Sequence, residues 1–170
     1  MAQVQSLLFV FLSIKNSKGE RKLKEHNGVI ILVADDDLDD QFMIQESFKE
    51  AGLTNPLHFV NDGEEVVAYL KRQGEYSKFT GLPLPRLIFL DLNMPRMDGR
   101  EVLKALKSHP EWRRIPVIVF TTSHTEEDII RTYDLGVNSY ITKPVTFEGL
   151  VKIIDTIIQY WLEIVELPVV

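Results

Sequence analysis

Residues 29–37 read Val-Ile-Ile-Leu-Val-Ala-Asp-Asp-Asp, six aliphatic side chains in a row and then three carboxylates. A run that is apolar at both odd and even positions has no wet face, so it suits a strand covered on both sides, as in a parallel sheet between helix layers. Two further runs of this kind are Arg86-Leu-Ile-Phe-Leu-Asp91 and Ile115-Pro-Val-Ile-Val-Phe-Thr121; Leu57-His-Phe-Val60 and Ser139-Tyr-Ile-Thr142 are weaker strands. The stretches between them predict helices near 39–51, 63–73, 98–108, 126–135 and 147–163. Asp62-Gly-Glu-Glu65 and Thr125-Glu-Glu-Asp128 start two of these with a capping side chain and an acid three residues later, and Gly52 and Gly136 stand where C-caps belong. Leu150, Ile153, Ile154, Ile157, Ile158 and Trp161 give the last helix one apolar face. Strand and helix alternate throughout. The expectation is an α/β fold, a doubly wound five-stranded parallel sheet with helices on both faces.

Outward from this pattern, the 170-residue chain divides into residues 1–28, an extension expected to be loosely held, a folded domain over 29–160, and an apolar tail over 161–170. The apolar stretch 6–14 falls far short of the roughly 20 residues that cross a bilayer, and no positive charge precedes it as in a signal peptide. No membrane span is expected, and the location that fits is the cytoplasm. With no cysteine, the chain has no disulfide, thiolate metal site or cysteine nucleophile. Its net charge of −6 argues against non-specific nucleic-acid binding. The charge is uneven: five of the 25 acids crowd into Asp35-Asp36-Asp37-Leu38-Asp39-Asp40. Gly74 to Pro85 is a loop longer than the ~2–6 residues usual between helix and strand.

In doubly wound sheets ligands gather at the carboxyl ends of the strands. Here the first strand ends in Asp35 and Asp36, the third in Asp91 and the fourth in Thr121, while Lys143-Pro144 follows the fifth. Three carboxylates brought together repel by ~4 kcal/mol per close pair at an effective dielectric near 20. Lys143 offers one neutralising charge, and a hard divalent cation, Mg²⁺ or Mn²⁺, would offer two. A carboxylate beside such a cation, an ammonium and a hydroxyl is equipped for phosphoryl transfer to an aspartate.

The segments Ile31-Leu-Val-Ala-Asp-Asp-Asp, Leu90-Asp-Leu-Asn-Met-Pro-Arg-Met-Asp-Gly99, Pro116-Val-Ile-Val-Phe-Thr121 and Tyr140-Ile-Thr-Lys-Pro144 strongly resemble the receiver domain of two-component response regulators. The resemblance implies the flavodoxin-like strand order 2-1-3-4-5, with Asp91 taking a phosphoryl group from a sensor histidine kinase. It implies Mg²⁺ held by Asp36, Asp91 and the backbone carbonyl of Asn93, with Asp35 acting through a metal-bound water. Lys143 and Thr121 would contact the phosphoryl group, and Tyr140 matches the family's switch aromatic. Lys143-Pro144 would be a cis peptide, and the face of helix 4, strand 5 and helix 5 would be the readout. Asp37, Asp39 and Asp40 read instead as acids complementing the dipole of the first helix. Asp98 and Gly99 read as loop and helix-start residues, Met94 and Met97 as packing, and Trp112 as surface packing beneath a loop. The four histidines show no metal spacing.

The 74–85 loop, Thr-Thr-Ser123 and the Trp-Leu-Glu…Leu-Pro tail are similar, more narrowly, to regulators paired with phytochromes. That implies a phytochrome kinase as partner and a tail that either joins a homodimer or kinase, or packs on its own domain. After residue 146 the sequence provides for one helix and the tail, so a DNA-binding output is not expected. The reading is therefore a phosphoacceptor rather than an enzyme. A haloacid dehalogenase-type phosphatase would use Asp35-x-Asp37, Thr121 and Lys143, but it lacks the acidic pair that should follow the lysine and gives Asp91 no role. A pseudo-receiver that only binds partners would have lost an acid, the threonine or the lysine, and none is missing.

Overall fold

Strand β1 (Ile31–Ala34) is the axis of the sheet, pairing in parallel with β2 (Leu57–Val60) on one side and β3 (Leu87–Leu90) on the other. Beyond β3 lie β4 (Val117–Thr121) and β5 (Ser139–Thr142), so the five strands run in the order 2-1-3-4-5 implied by the resemblance. The helices α1 (Leu38–Glu50), α2 (Gly63–Lys71), α3 (Gly99–Ser108), α4 (Glu126–Asp134) and α5 (Phe147–Ile158) alternate with them. This is a computed structural model, and it describes residues 28–168. The reading of 1–28 as a loose extension falls, apart from Gly28, outside the described residues, as do the last two residues of the tail.

The period of two in a strand sends alternate side chains to opposite faces. Leu32, Ala34, Ile88, Leu90, Val117 and Val119 pack under α2 and α3 with Val66, Leu70, Val102, Leu103 and Leu106. Ile31, Val33, Leu87, Phe89, Ile118 and Phe120 pack under α1 and α5 with Ile44, Phe48, Leu150, Ile154 and Ile157. Every residue of β1, β3 and β4 is buried, which is why their sequences carry no polar alternation. Ala34 stands level with Val60 and Leu90, and Leu90 with Val119. That register sets the carboxyl ends of β1 and β3 side by side where the strand order reverses.

The ends of the elements follow local chemistry. Asp37, Asp62, Thr125 and Thr146 cap the N-termini of α1, α2, α4 and α5, and Asp98 with Glu101 forms a capping box on α3. Gly52 (φ 73°) and Gly136 (φ 86°) take the left-handed conformation just past α1 and α4, as their positions suggested.

Three readings need correction. The 74–85 loop contains a 3-10 helix, Gly74–Phe79, whose Tyr76 and Phe79 pack with Tyr69 and His58; aromatic anchors shape a segment in which no helical period is visible. Trp112 is not surface packing: it is buried in the α2–α3 core, with the His109 ring stacked on it at 3.8 Å between centroids. Finally, no described peptide bond is cis, so Lys143–Pro144 is trans; an X–Pro bond accepts either isomer within roughly 0.5–1 kcal/mol, so sequence alone does not choose.

The last helix continues as a π turn, Gln159–Ile164. From it Trp161 and Leu162 are buried in the α1–α5 core, joined by Val165 and Leu167, and Arg86 Nη2 donates to the Leu167 carbonyl at 2.6 Å. The described part of the tail thus packs on its own domain, leaving Tyr160 and Ile164 exposed.

Candidate functional site

The pocket lies over the ends of β1, β3, β4 and β5, and each strand delivers the residue that follows or ends it. Asp35 continues β1 and is 1% exposed, and Asp91 continues β3 and is 7% exposed. Thr121 is the last residue of β4 and is fully buried. The Lys143 backbone N–H donates to the Thr121 carbonyl at 2.8 Å, which extends the β4–β5 ladder and aims the lysine side chain across the strand ends. One oxygen from each of Asp35, Asp36 and Asp91 lies within 4.8 Å of the others. Asp36 is the exposed member of the three, on the solvent side of the cluster.

Close packing holds Asp91 in place. Gly99 begins α3 directly against it, where an added Cβ would lie 2.2 Å from the Asp91 carbonyl oxygen. Gly63, the first residue of α2, approaches the β3–α3 loop as closely, and a Cβ there would lie 2.4 Å from the Met97 carbonyl. In that loop Arg96 adopts φ 63°, and its guanidinium rests against the buried Asp62 carboxylate, with Glu65 at 3.3 Å. Met94 and Met97 pack beside the site, as expected of them.

Asp91 Oδ1 accepts a hydrogen bond from Thr121 Oγ at 2.6 Å and one from the Asn93 backbone N–H at 3.2 Å. Its Oδ2 accepts from Lys143 Nζ at 2.9 Å. Lys143 Nζ also donates to Asp35 Oδ2 at 2.7 Å and to Asp40 Oδ2 at 2.7 Å. Burial pushes the Asp35 carboxyl up to about 6 against the opposing pull of Lys143. Burial by itself would lower the Lys143 pKa, but the charges of Asp35 and Asp91 outweigh it and raise it, so the ammonium stays protonated. Tyr140 stands further out, its hydroxyl donating to the Ser123 carbonyl at 3.0 Å and its pKa raised by burial.

The structure therefore brings together Asp35, Asp36, Asp91, Thr121 and Lys143, with Asn93 entering through its backbone and Tyr140 bonded to the β4–α4 loop. Sequence reasoning missed Asp40, which was assigned to the helix dipole. The available signal was its spacing: Asp40 lies four and eight residues before the apolar Ile44 and Phe48, on the stripe of α1 that turns toward the core and the strand ends. Asp37 is the α1 N-cap, accepting from the backbone N–H groups of Asp39 and Asp40 at 2.8 and 3.3 Å. Also missed was a clamp on the β4–α4 loop. From the first turn of α4, Asp128 accepts from Ser123 Oγ at 2.6 Å and from Arg100 Nε at 3.0 Å, and these bonds hold its carboxyl below the usual range.

Four carboxylates around one ammonium leave the pocket strongly negative. Its donors are all hard oxygens, and the close approach of three of them suits a divalent cation of the Mg²⁺ or Mn²⁺ class. Such a fold, with acids, hydroxyl and lysine on those strand ends, defines a receiver. A sequence model of the response regulator receiver domain matches residues 31–155, and the chain belongs to that family. Among curated relatives it is similar to response regulator Rcp1 of the cyanobacterium Synechocystis, with 44% identity over 82% of this chain and 92% of that protein. A crystal structure of Mn²⁺-bound Rcp1 aligns with a TM-score of 0.73 over 82% of this chain and 98% of that one. A crystal structure of the phosphorylated cyanobacterial phytochrome response regulator RcpA aligns at 42% identity and a TM-score of 0.75, over 82% and 97% of the two chains. Among the described residues no helix is long and apolar enough to cross a membrane.

Proposed function

We propose that this response regulator accepts a phosphoryl group on Asp91 from the phosphohistidine of a sensor histidine kinase, and signals by protein contact rather than by catalysis on an external substrate. One observation carries the reading: Asp91 receives a hydroxyl from one neighbouring strand end and an ammonium from another, beside two further carboxylates. In this reading Asp36, Asp91 and the backbone of Asn93 hold Mg²⁺, with Asp35 oriented toward its water shell. The cation supplies charge compensation for the phosphoryl oxygens. Lys143 and Thr121 meet those oxygens from the protein side, and Tyr140 couples the β4–α4 loop to the site. A phosphatase of the haloacid dehalogenase type would leave the convergence on Asp91 unexplained.

The similarity to Rcp1 and RcpA supports a phytochrome-type kinase as the partner, a cytoplasmic setting and a receiver unit spanning 29–160. Exposed Ile130 and Tyr133 on α4 support that helix as part of the readout surface. Exposed Tyr160 and Ile164 support a homodimer seam beside the buried part of the tail. Incubation with Mg²⁺ and acetyl phosphate, followed by intact-mass measurement, tests the acceptor. Wild type gains one phosphoryl mass and Asp91→Asn gains none; equal gain in both would remove Asp91 from the role.

A further inference from the structure

We propose that Asp40 is a positioning residue for phosphoryl transfer, holding the third ammonium hydrogen of Lys143 and releasing it to the incoming phosphoryl group. The proposal rests on Asp91 being the phosphoacceptor. An alkylammonium carries three hydrogens, and here each has its own carboxylate: Asp35 at 2.7 Å, Asp40 at 2.7 Å and Asp91 at 2.9 Å. The Lys143 side chain is only 8% exposed, so solvent offers it little alternative. A phosphoryl oxygen can bind Lys143 only when one carboxylate lets go.

Burial decides which one. The Asp35 side chain is 2% exposed and would be stranded as an unpaired buried charge. Asp91 is the reacting group. The Asp40 side chain is 37% exposed and can swing back into water with little desolvation loss. Its departure leaves α1 capped, because the cap belongs to Asp37.

In the transfer itself an Asp91 carboxylate oxygen attacks phosphorus of an acyl phosphate. The new O–P bond forms as the bond from phosphorus to the donor's carboxylate oxygen breaks, and that electron pair leaves on acetate. No redox change and no proton are required. Lys143 meets the transferring oxygens, and Asp40 competes for the same hydrogen while adding negative charge where a phosphate must approach. Asp40 is thus a brake on loading.

Asp39 supplies the control, since it shares the first turn of α1 but makes no contact with Lys143. In the full chain with Mg²⁺, Asp40→Asn should lower the acetyl phosphate concentration for half-maximal loading by about three- to ten-fold, while Asp39→Asn stays near wild type. Asp40→Glu, which keeps the charge and the acceptor, should restore most of the wild-type value. A second readout needs no phosphate: the ¹⁵N resonance of the Lys143 ammonium should show faster hydrogen exchange in Asp40→Asn than in Asp39→Asn. Wild type that takes up no phosphoryl group overturns the acceptor reading beneath the proposal. Wild type that loads, with a half-maximal acetyl phosphate concentration for Asp40→Asn no lower than for Asp39→Asn, or with unchanged Lys143 exchange, overturns the role of Asp40 alone.

Discussion

Replacing Lys143 with Met removes the one cation from a cluster of carboxylates while keeping most of the side-chain volume. Each contact of 2.7–2.9 Å is worth roughly 6 kcal/mol of gross Coulomb attraction at an effective dielectric near 20, most of it offset by desolvation of the ammonium. What remains is the penalty of stranding Asp35 and Asp91, whose side chains are 2% and 9% exposed. Breaking a buried pair from one side costs about 3–5 kcal/mol. The folded protein has one escape, which is to protonate. Asp35 already titrates near 6 in the folded state, above its ordinary value of 3.8, so between these values the folded state binds more protons and stability falls as pH rises. Loss of Lys143 raises the folded value further, so the destabilisation is larger at pH 8 than at pH 5.

Urea unfolding at both pH values, with the slope m checked for constancy, measures this directly. Excess MgCl₂ adds the opposing test. A divalent cation meets one more uncompensated charge in the variant, so Mg²⁺ should raise the Tm of Lys143→Met more than that of wild type. A loss below about 1 kcal/mol at pH 8, or one equal at both pH values, or a smaller Mg²⁺ response in the variant, would refute the view that charge compensation organises the pocket.

Gly99→Ala should destabilise by about 1–3 kcal/mol and slow loading from acetyl phosphate, because its Cβ would have to displace the Asp91 backbone; a variant with wild-type urea midpoint and loading would contradict that close approach. His58, lowered from 6.5 chiefly by burial and further by Arg72 and Lys78, predicts a pH effect away from the site. As pH falls below 6.5 the unfolded chain takes the proton first, so stability drops until the folded value is passed; the drop should shrink in His58→Phe, and an unchanged pH profile would speak against it. For assembly, Tyr160→Ser with Ile164→Ser leaves the buried Trp161 and Leu162 in place and should lower the mass seen by sedimentation; equal masses would count against the proposed seam.

How much of this was legible in the sequence follows from which positions the sheet alone determines. In a parallel sheet the register carries every strand end to the same edge, so Asp35, Asp91 and Thr121 could be placed together from apolar runs and their last residues. Lys143 followed by the same logic, since β5 is the next strand over and its ladder with β4 extends through the lysine N–H. Buried Trp112 and the 3-10 helix at Gly74–Phe79 were not legible, because each depends on packing against residues distant in sequence rather than on a local period.

Asp40 is the instructive failure. A helix residue's part in a strand-end pocket depends on how the helix is rotated, and no strand register fixes that rotation. In α1 the rotation is set by Ile44 and Phe48, which must enter the core beneath the sheet. Asp40 stands four residues before Ile44 and eight before Phe48, on the same stripe of the helix, so burying them turns its carboxylate inward toward Lys143. Asp39 stands one residue off that stripe and faces solvent. Two adjacent acids of one cluster thus differ in function because the core beneath them fixes the helix about its axis, and sequence that reads both as dipole partners has left out that rotation.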